Sequence, residues 1–467
     1  MTWTLAAGLL LLLASPALLR RRYDQQWLMR PVSWLALTAV GYQGVSEVVI
    51  RLTDADQLVA YRPSRAAVDN GMVVAGLALL ALTIGYLVAH PPAPVEVDVD
   101  TGDLARALDW RIFAVLTVPL VLTTASGRGY SSGQPLDTQG AIDAGGLGSQ
   151  FFVPMVILTA FAYLLRHPRQ YAFVLVAQSI GLAVAGQRLE VLVAAAALTA
   201  LAMRVGLRPG RRQLVVTVAV ALAAVVAINS VRTTAGREVF QSDSGFAARF
   251  DALREGLTNP TATSDLGPGA LAEAALRLDS ASWTGAVYEA LHEPGVKPAG
   301  AHLIRGAVLT SVPSVLFPSK TTVLTELDRS PEAATIVALR MERVDYLPGH
   351  LTLFYGALGL WGLLLFNLLV GMALGLLERA ALRRASPVAI VGLLTLLQSA
   401  LFYERGIDYY LLAGRSFFVL AVLVYVLGAV VGYRAGPRAQ DPGRLGPTGS
   451  PRRPTPAVRR PSVRPRS

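Results

Sequence analysis

The sequence predicts an all-α polytopic membrane protein with about 11 transmembrane helices and one large extracytoplasmic loop. Three observations lead there. Of 467 residues, 53% are apolar and only 16% charged, where soluble chains average roughly a quarter charged. Met1 to Leu19 carries no charged residue, and several later stretches of 15 to 25 residues carry none or one. About 20 helical residues, each rising about 1.5 Å, cross a hydrocarbon core about 30 Å thick. A soluble fold has no use for so many such runs.

Hydropathy places the spans at about 3–19, 32–50, 70–89, 112–126, 151–165, 171–186, 189–203, 213–229, 351–377, 386–402 and 415–433. The first resembles a signal peptide, but its positive cluster Arg20-Arg21-Arg22 follows the apolar run, which suits an anchor with its N-terminus outside. That cluster, Arg30, Arg166, Arg169, the run from Arg204 to Arg212, the run from Arg379 to Arg384 and the tail fall on one side of an eleven-span scheme. Basic loops face the cytoplasm, so the N-terminus is expected outside and the C-terminus on the cytoplasmic side. The acidic 90–111 loop is the misfit, although acids count little in this rule.

Four regions follow: an N-terminal membrane bundle at 1–229, an extracytoplasmic helical loop at 230–350, C-terminal membrane hairpins at 351–433 and a disordered basic tail at 434–467. Within the loop, segments 245–257 and 268–292 have apolar residues at helical spacing (Leu271, Ala274, Ala275, Leu278), with Gly267-Pro268 at a helix start. Pro313 and Pro318 interrupt the more apolar stretch 301–317. An insert of this kind suggests a lid over a site at the outer leaflet. The tail holds nine arginines against Asp441 alone, and it is rich in Pro, Gly and Ser, a composition that builds no core. Its expected partner is anionic membrane lipid, not nucleic acid.

The chain has no cysteine, so disulfides and thiolate chemistry are excluded. His90, His167, His292, His302 and His350 are too dispersed for an HExxH-type motif, and no GxxxxGK[ST] loop occurs. We expect no metal, no nucleotide and no other cofactor.

Ionisable groups in or beside a span cost about 2.5–3.5 kcal/mol to insert, so they are candidates for function. Arg188 sits in a hairpin of almost no length, Gly186-Gln187-Arg188-Leu189-Glu190. Arg232 follows the eighth span directly, and Arg305 and Lys320 lie where the large loop returns to the membrane. Arg405 and Arg415 flank the last outward turn with Glu404 and Asp408. Each has an ordinary structural reading, as a salt bridge or a charge flanking a helix end. Together, however, Arg188, Arg232, Arg305, Lys320, Arg405 and Arg415 share one depth and one side. Guanidiniums match phosphate oxygens bidentately, and such a cluster suits a lipid diphosphate whose charge grows as it departs. His350, at the mouth of the ninth span, titrates near neutrality and can accept a proton from a sugar hydroxyl.

Several motifs resemble those of one family. Gly186-Gln187-Arg188 is similar to the glycine–x–arginine hairpin of bacterial O-antigen and oligosaccharide repeat-unit polymerases, the Wzy-like family. Val312-Pro313-Ser314-Val315-Leu316-Phe317-Pro318-Ser319-Lys320 resembles the "IP…P.K" stretch late in that family's large loop. Phe354-Tyr355-Gly356-Ala357-Leu358-Gly359, continuing to Gly371, resembles the "(Y/F)…G..G" start of the following span. Arg405-Gly406 and Arg415-Ser416-Phe417 suit its final hairpin. The likeness covers roughly residues 150–430.

The resemblance implies a metal- and nucleotide-independent membrane glycosyltransferase. Such an enzyme joins a chain on undecaprenyl diphosphate to an incoming lipid-linked oligosaccharide repeat unit at the outer face, alongside a flippase and a chain-length regulator. It implies that Arg188, Arg232 and Arg405 hold the donor diphosphate and that His350 is catalytic. Leu351 stands where related ligases often have asparagine after that histidine, which leaves Glu404 and Asp408 as alternative bases. Three other functions compete: an O-antigen-ligase-like glycan transferase, a polyprenyl-phosphate-sugar glycosyltransferase using Asp54 and Asp56, and a polysaccharide transporter. The last predicts charges near the middle of the spans; Glu47 is the clearest acid within a span, while most arginines cluster at one interface, which favours chemistry there over passage.

Overall fold

The computed structural model describes residues 2–55, 62–89, 110–126, 169–184, 278–300, 331–341 and 347–384, with shorter pieces within 155–163 and 272–276 and isolated positions elsewhere. Among the described residues all regular structure is helical. The chain divides into units 1–428 and 429–467, and the described residues all fall in the first.

Helix α1 (Trp3–Tyr23) opens with the Thr2 side chain accepting from Leu5 N–H at 3.1 Å, and it closes with Arg20, Arg21 and Arg22 in its last turn. The cap satisfies an orphan donor, and the arginines complement the negative end of the helix dipole. A short 3-10 turn (Asp24–Met29) leads into α2 (Pro31–Ala39), with Pro31 in the first turn where its missing N–H costs nothing. One π turn (Val40–Val45) joins α2 to α3 (Ser46–Leu52) with helical dihedrals at both junctions, so Pro31 to Leu52 runs as one rod. Then come α4 (Arg65–Ala89), α5 (Trp110–Ser126), α6 (Arg169–Val184), α7 (Ala281–Leu291), α8 (Pro331–Ala338) and α9 (Tyr355–Arg384).

Three described helices, Trp3–Tyr23, Arg65–Ala89 and Tyr355–Ala380, are long and apolar enough to cross a membrane. Their outward faces carry Trp3, Leu10, Leu13, Trp361, Leu365 and Leu369, all exposed. That inversion of the usual rule is what hydrocarbon as solvent allows.

Helix α4 is the hub. Its glycines meet a different partner each time: Gly71 abuts Gly285 of α7, Gly76 abuts Leu11 of α1, and Gly85 abuts the Leu368 backbone of α9. Gly371 of α9 returns the last contact against Leu82. Apolar area gives helices in lipid little reason to associate, so close backbone approach through small residues supplies dispersion contact instead. Thr2 pairs with Asp69 while Tyr23 packs on Tyr86, so α1 and α4 run in the same direction. Arg30 lies near Tyr86 and Glu378, and Arg51 near Asp69, so the Pro31–Leu52 rod runs the opposite way.

Two details differ from the sequence expectation. The ninth span begins as turns over 350–354, and α9 carries a break at Gly359. In the 268–292 segment, Ala272 and Ala275 are buried but Leu278 is 39% exposed, at a non-helical break over 278–280 that precedes α7. Leu271 and Ala274 lie outside the described residues.

Candidate functional site

Among the described residues, one cluster of buried ionic groups lies where α4 begins. Arg51 donates to Glu47 Oε1, one helical turn away, and to Asp69 Oδ1, each at 2.5 Å. Arg62 reaches Glu47 Oε2 through one terminal nitrogen, and its Nε donates to Asp279 Oδ2 at 3.2 Å and Ser282 Oγ at 3.0 Å. The Thr2 hydroxyl donates to Asp69 Oδ2, and Ser282 N–H donates to Asp279 Oδ1 at 3.0 Å. All six oxygens of the three carboxylates therefore have partners. Two guanidiniums face three carboxylates, and Glu47 is wholly buried. A buried charge left without such partners costs several kcal/mol. The array therefore fixes α1, α3, α4 and α7 in one register.

The π turn prepares this meeting. Ser46 N–H bonds Gly41 O, one residue further back than in an α-helix, so the Tyr42 carbonyl is released. It accepts instead from Ser46 Oγ at 2.6 Å and from Ser280 N–H at 3.2 Å, just before α7.

His350 sits at the same end and is 2% exposed. Its turn is held from several directions. Ser280 Oγ donates to Leu347 O at 2.6 Å, Trp283 Nε1 to Thr352 O at 3.3 Å, and Thr284 Oγ1 to Thr352 Oγ1 at 3.1 Å. Gln43 Nε2 reaches Thr284 Oγ1 at 3.5 Å. A run of polar groups thus links the π turn, α7 and the head of α9 around the histidine. Among the described residues, no group of three or more histidines and acids is placed to hold a metal ion.

A second buried cluster closes the opposite end. Arg30 Nη1 donates to Glu378 Oε1 at 3.0 Å with both side chains fully buried, the Tyr86 hydroxyl donates to Glu378 Oε2, and the Arg30 guanidinium lies 4.3 Å above the Tyr23 ring. Burial works against the Arg30 charge, but Glu378, Tyr86 and Tyr23 more than offset it and raise its pKa above the usual guanidinium value.

Of the residues singled out from sequence, His350 is placed here. Arg188, Arg232, Arg305, Lys320, Glu404, Arg405, Asp408 and Arg415 lie outside the described residues. Glu47 is an interhelical anchor. Asp54 is 71% exposed and lies 3.8 Å from Arg65, while Asp56 lies outside the described residues. Sequence reasoning passed over Arg51, Arg62, Asp69, Asp279 and Glu378. Asp69 and Glu378 carried a usable signal, each being an acid one residue beyond the end of an expected apolar span. Asp279 and Arg62 carried none, because their worth depends on α7 lying against α4. Comparison with protein-family models, curated proteins and solved structures gives no match to this chain.

Proposed function

We propose that this protein polymerises undecaprenyl-diphosphate-linked oligosaccharide repeat units at the outer face of the bacterial cytoplasmic membrane. It does so as a multi-pass glycosyltransferase without metal or nucleotide. The observation that carries the reading is the order of motifs along the chain: the Gly186-Gln187-Arg188 hairpin, then Pro313 to Lys320, then His350 ahead of Gly356 and Gly359.

The geometry is compatible with this reading in three respects. The buried ionisable groups described sit at the ends of the long helices and not at their middles, which favours chemistry at an interface over passage through the bundle. α4 and α9 share a direction, so an odd number of crossings must separate them, and the five expected spans have that parity. Asp54, exposed beside Arg65, gives little support to the paired-acid reading.

In this reading Arg188, Arg232, Arg305, Lys320, Arg405 and Arg415 neutralise the departing diphosphate. His350, Glu404 or Asp408 takes the acceptor hydroxyl proton. Sugar C1 then passes from the diphosphate oxygen to that hydroxyl oxygen. The test is an Arg188→Ala strain, which should lose long-chain polysaccharide on a gel while protein level and membrane insertion persist. Arg188→Lys should lose most activity if the contact is bidentate. Wild-type polymer in the Arg188→Ala strain removes that residue from the mechanism, and wild-type polymer in a deletion strain rejects the function.

A further inference from the structure

The head of α9 is broken at a single residue. Gly359 has φ 65° and ψ −175°, a region that essentially only glycine occupies. One non-helical residue there disturbs the i to i+4 hydrogen bonds that span it, whose acceptors are the carbonyls of Gly356, Ala357 and Leu358. Two of these carbonyls have found other donors. Ala299 N–H bonds Gly356 O at 2.9 Å, and Gly300 N–H bonds Ala357 O at 2.9 Å. Pro298 packs against the bare Cα of Gly359, its Cγ 3.2 Å from where a Cβ would stand. The segment 295–300 that supplies these donors is bounded by Gly295 (φ 86°) and Gly300 (φ 97°).

We propose that residues 295–300 are a releasable strap and that the head of α9 is a two-state element. With the strap docked, α9 is kinked and the carbonyls of Gly356 and Ala357 accept from Ala299 and Gly300. With the strap released, Gly359 turns to ordinary helical dihedrals and the same carbonyls accept from Leu360 and Trp361. The two acceptors are satisfied in both arrangements, and the residue that must turn has no Cβ to resist. This is the condition for a bistable element rather than a continuously deformable one. The turn holding His350 directly precedes this head, and the strap runs directly on to residue 301. The exchange therefore couples the path of the large insert to the direction of α9, whatever reaction the protein performs.

Peptide-resolved hydrogen exchange on the purified full-length protein tests it. Gly359→Ala disfavours the kink, and Gly300→Ala independently disfavours the strap at its own positive φ. In both variants the amides of Ala299 and Gly300 should exchange about tenfold faster, and those of Leu360 to Gly362 about tenfold slower, a change on the scale of one hydrogen bond gained or lost. Strap amides that stay protected in both variants, or Leu360 to Gly362 amides that speed up along with the strap, overturn the proposal.

Discussion

Arg62→Met is the sharpest perturbation of the ion cluster. The side chain is 5% exposed, and its partners Glu47 and Asp279 are 0% and 7% exposed, so water has little access to replace the lost bonds. The variant strips Glu47 Oε2 of its donor, and Asp279 keeps only its bonds to Ser282. Removing one partner from a buried pair costs about 3–5 kcal/mol. At roughly 1 °C per kcal/mol for a chain of this length, that is a fall in Tm on the order of 3–5 °C, measured as thermal unfolding in detergent. Combining it with Glu47→Leu removes the stranded charge as well. The double variant should therefore melt closer to wild type than the two single losses added together. Arg62→Met melting within about 1 °C of wild type would refute the reasoning, because a pair worth so little behaves like a solvated surface bridge.

At the opposite end, Glu378→Ala leaves the Arg30 guanidinium without its carboxylate and should cost a similar amount, about 3–5 kcal/mol, read by the same melting assay. Gln178→Leu removes the two 3.0 Å bonds that Gln178 Nε2 donates to Thr117 and Thr159, and should cost about 1–2 kcal/mol. Gly85→Leu cannot coexist with the Leu368 backbone, and should reduce the yield of folded protein in gel filtration more than any exposed-face substitution such as Trp361→Leu. His350→Gln should lower polymer formation without lowering Tm by more than about 2 °C if the histidine acts as a base. Full turnover rejects that role.

Three of the expected spans were legible because hydropathy over about 20 residues depends on composition alone. Trp3–Tyr23, Arg65–Ala89 and Tyr355–Ala380 fall where the apolar runs at 3–19, 70–89 and 351–377 put them. Their ends were less legible. Ser46 bonding Gly41 rather than Tyr42 is a choice of hydrogen-bond register, and no residue type in Val40–Val45 forces it. The motif glycines Gly356 and Gly359 were visible as a pattern, but not their separate duties. Gly356 lets Thr335 and Leu339 of the segment containing α8 come close, and Gly359 turns the chain.

The sequence by itself determined that apolar helices dominate this protein and that its charges stand near their ends, since both follow from the cost of placing each residue in hydrocarbon. Only the tertiary structure decided which charges belong together. Arg62 and Asp279 are 217 residues apart, and Arg30 and Glu378 are 348 apart. Such pairs exist only once α4 has collected α1, α7 and α9 around its glycines, because an ion pair is a property of distance and burial and not of the residues alone.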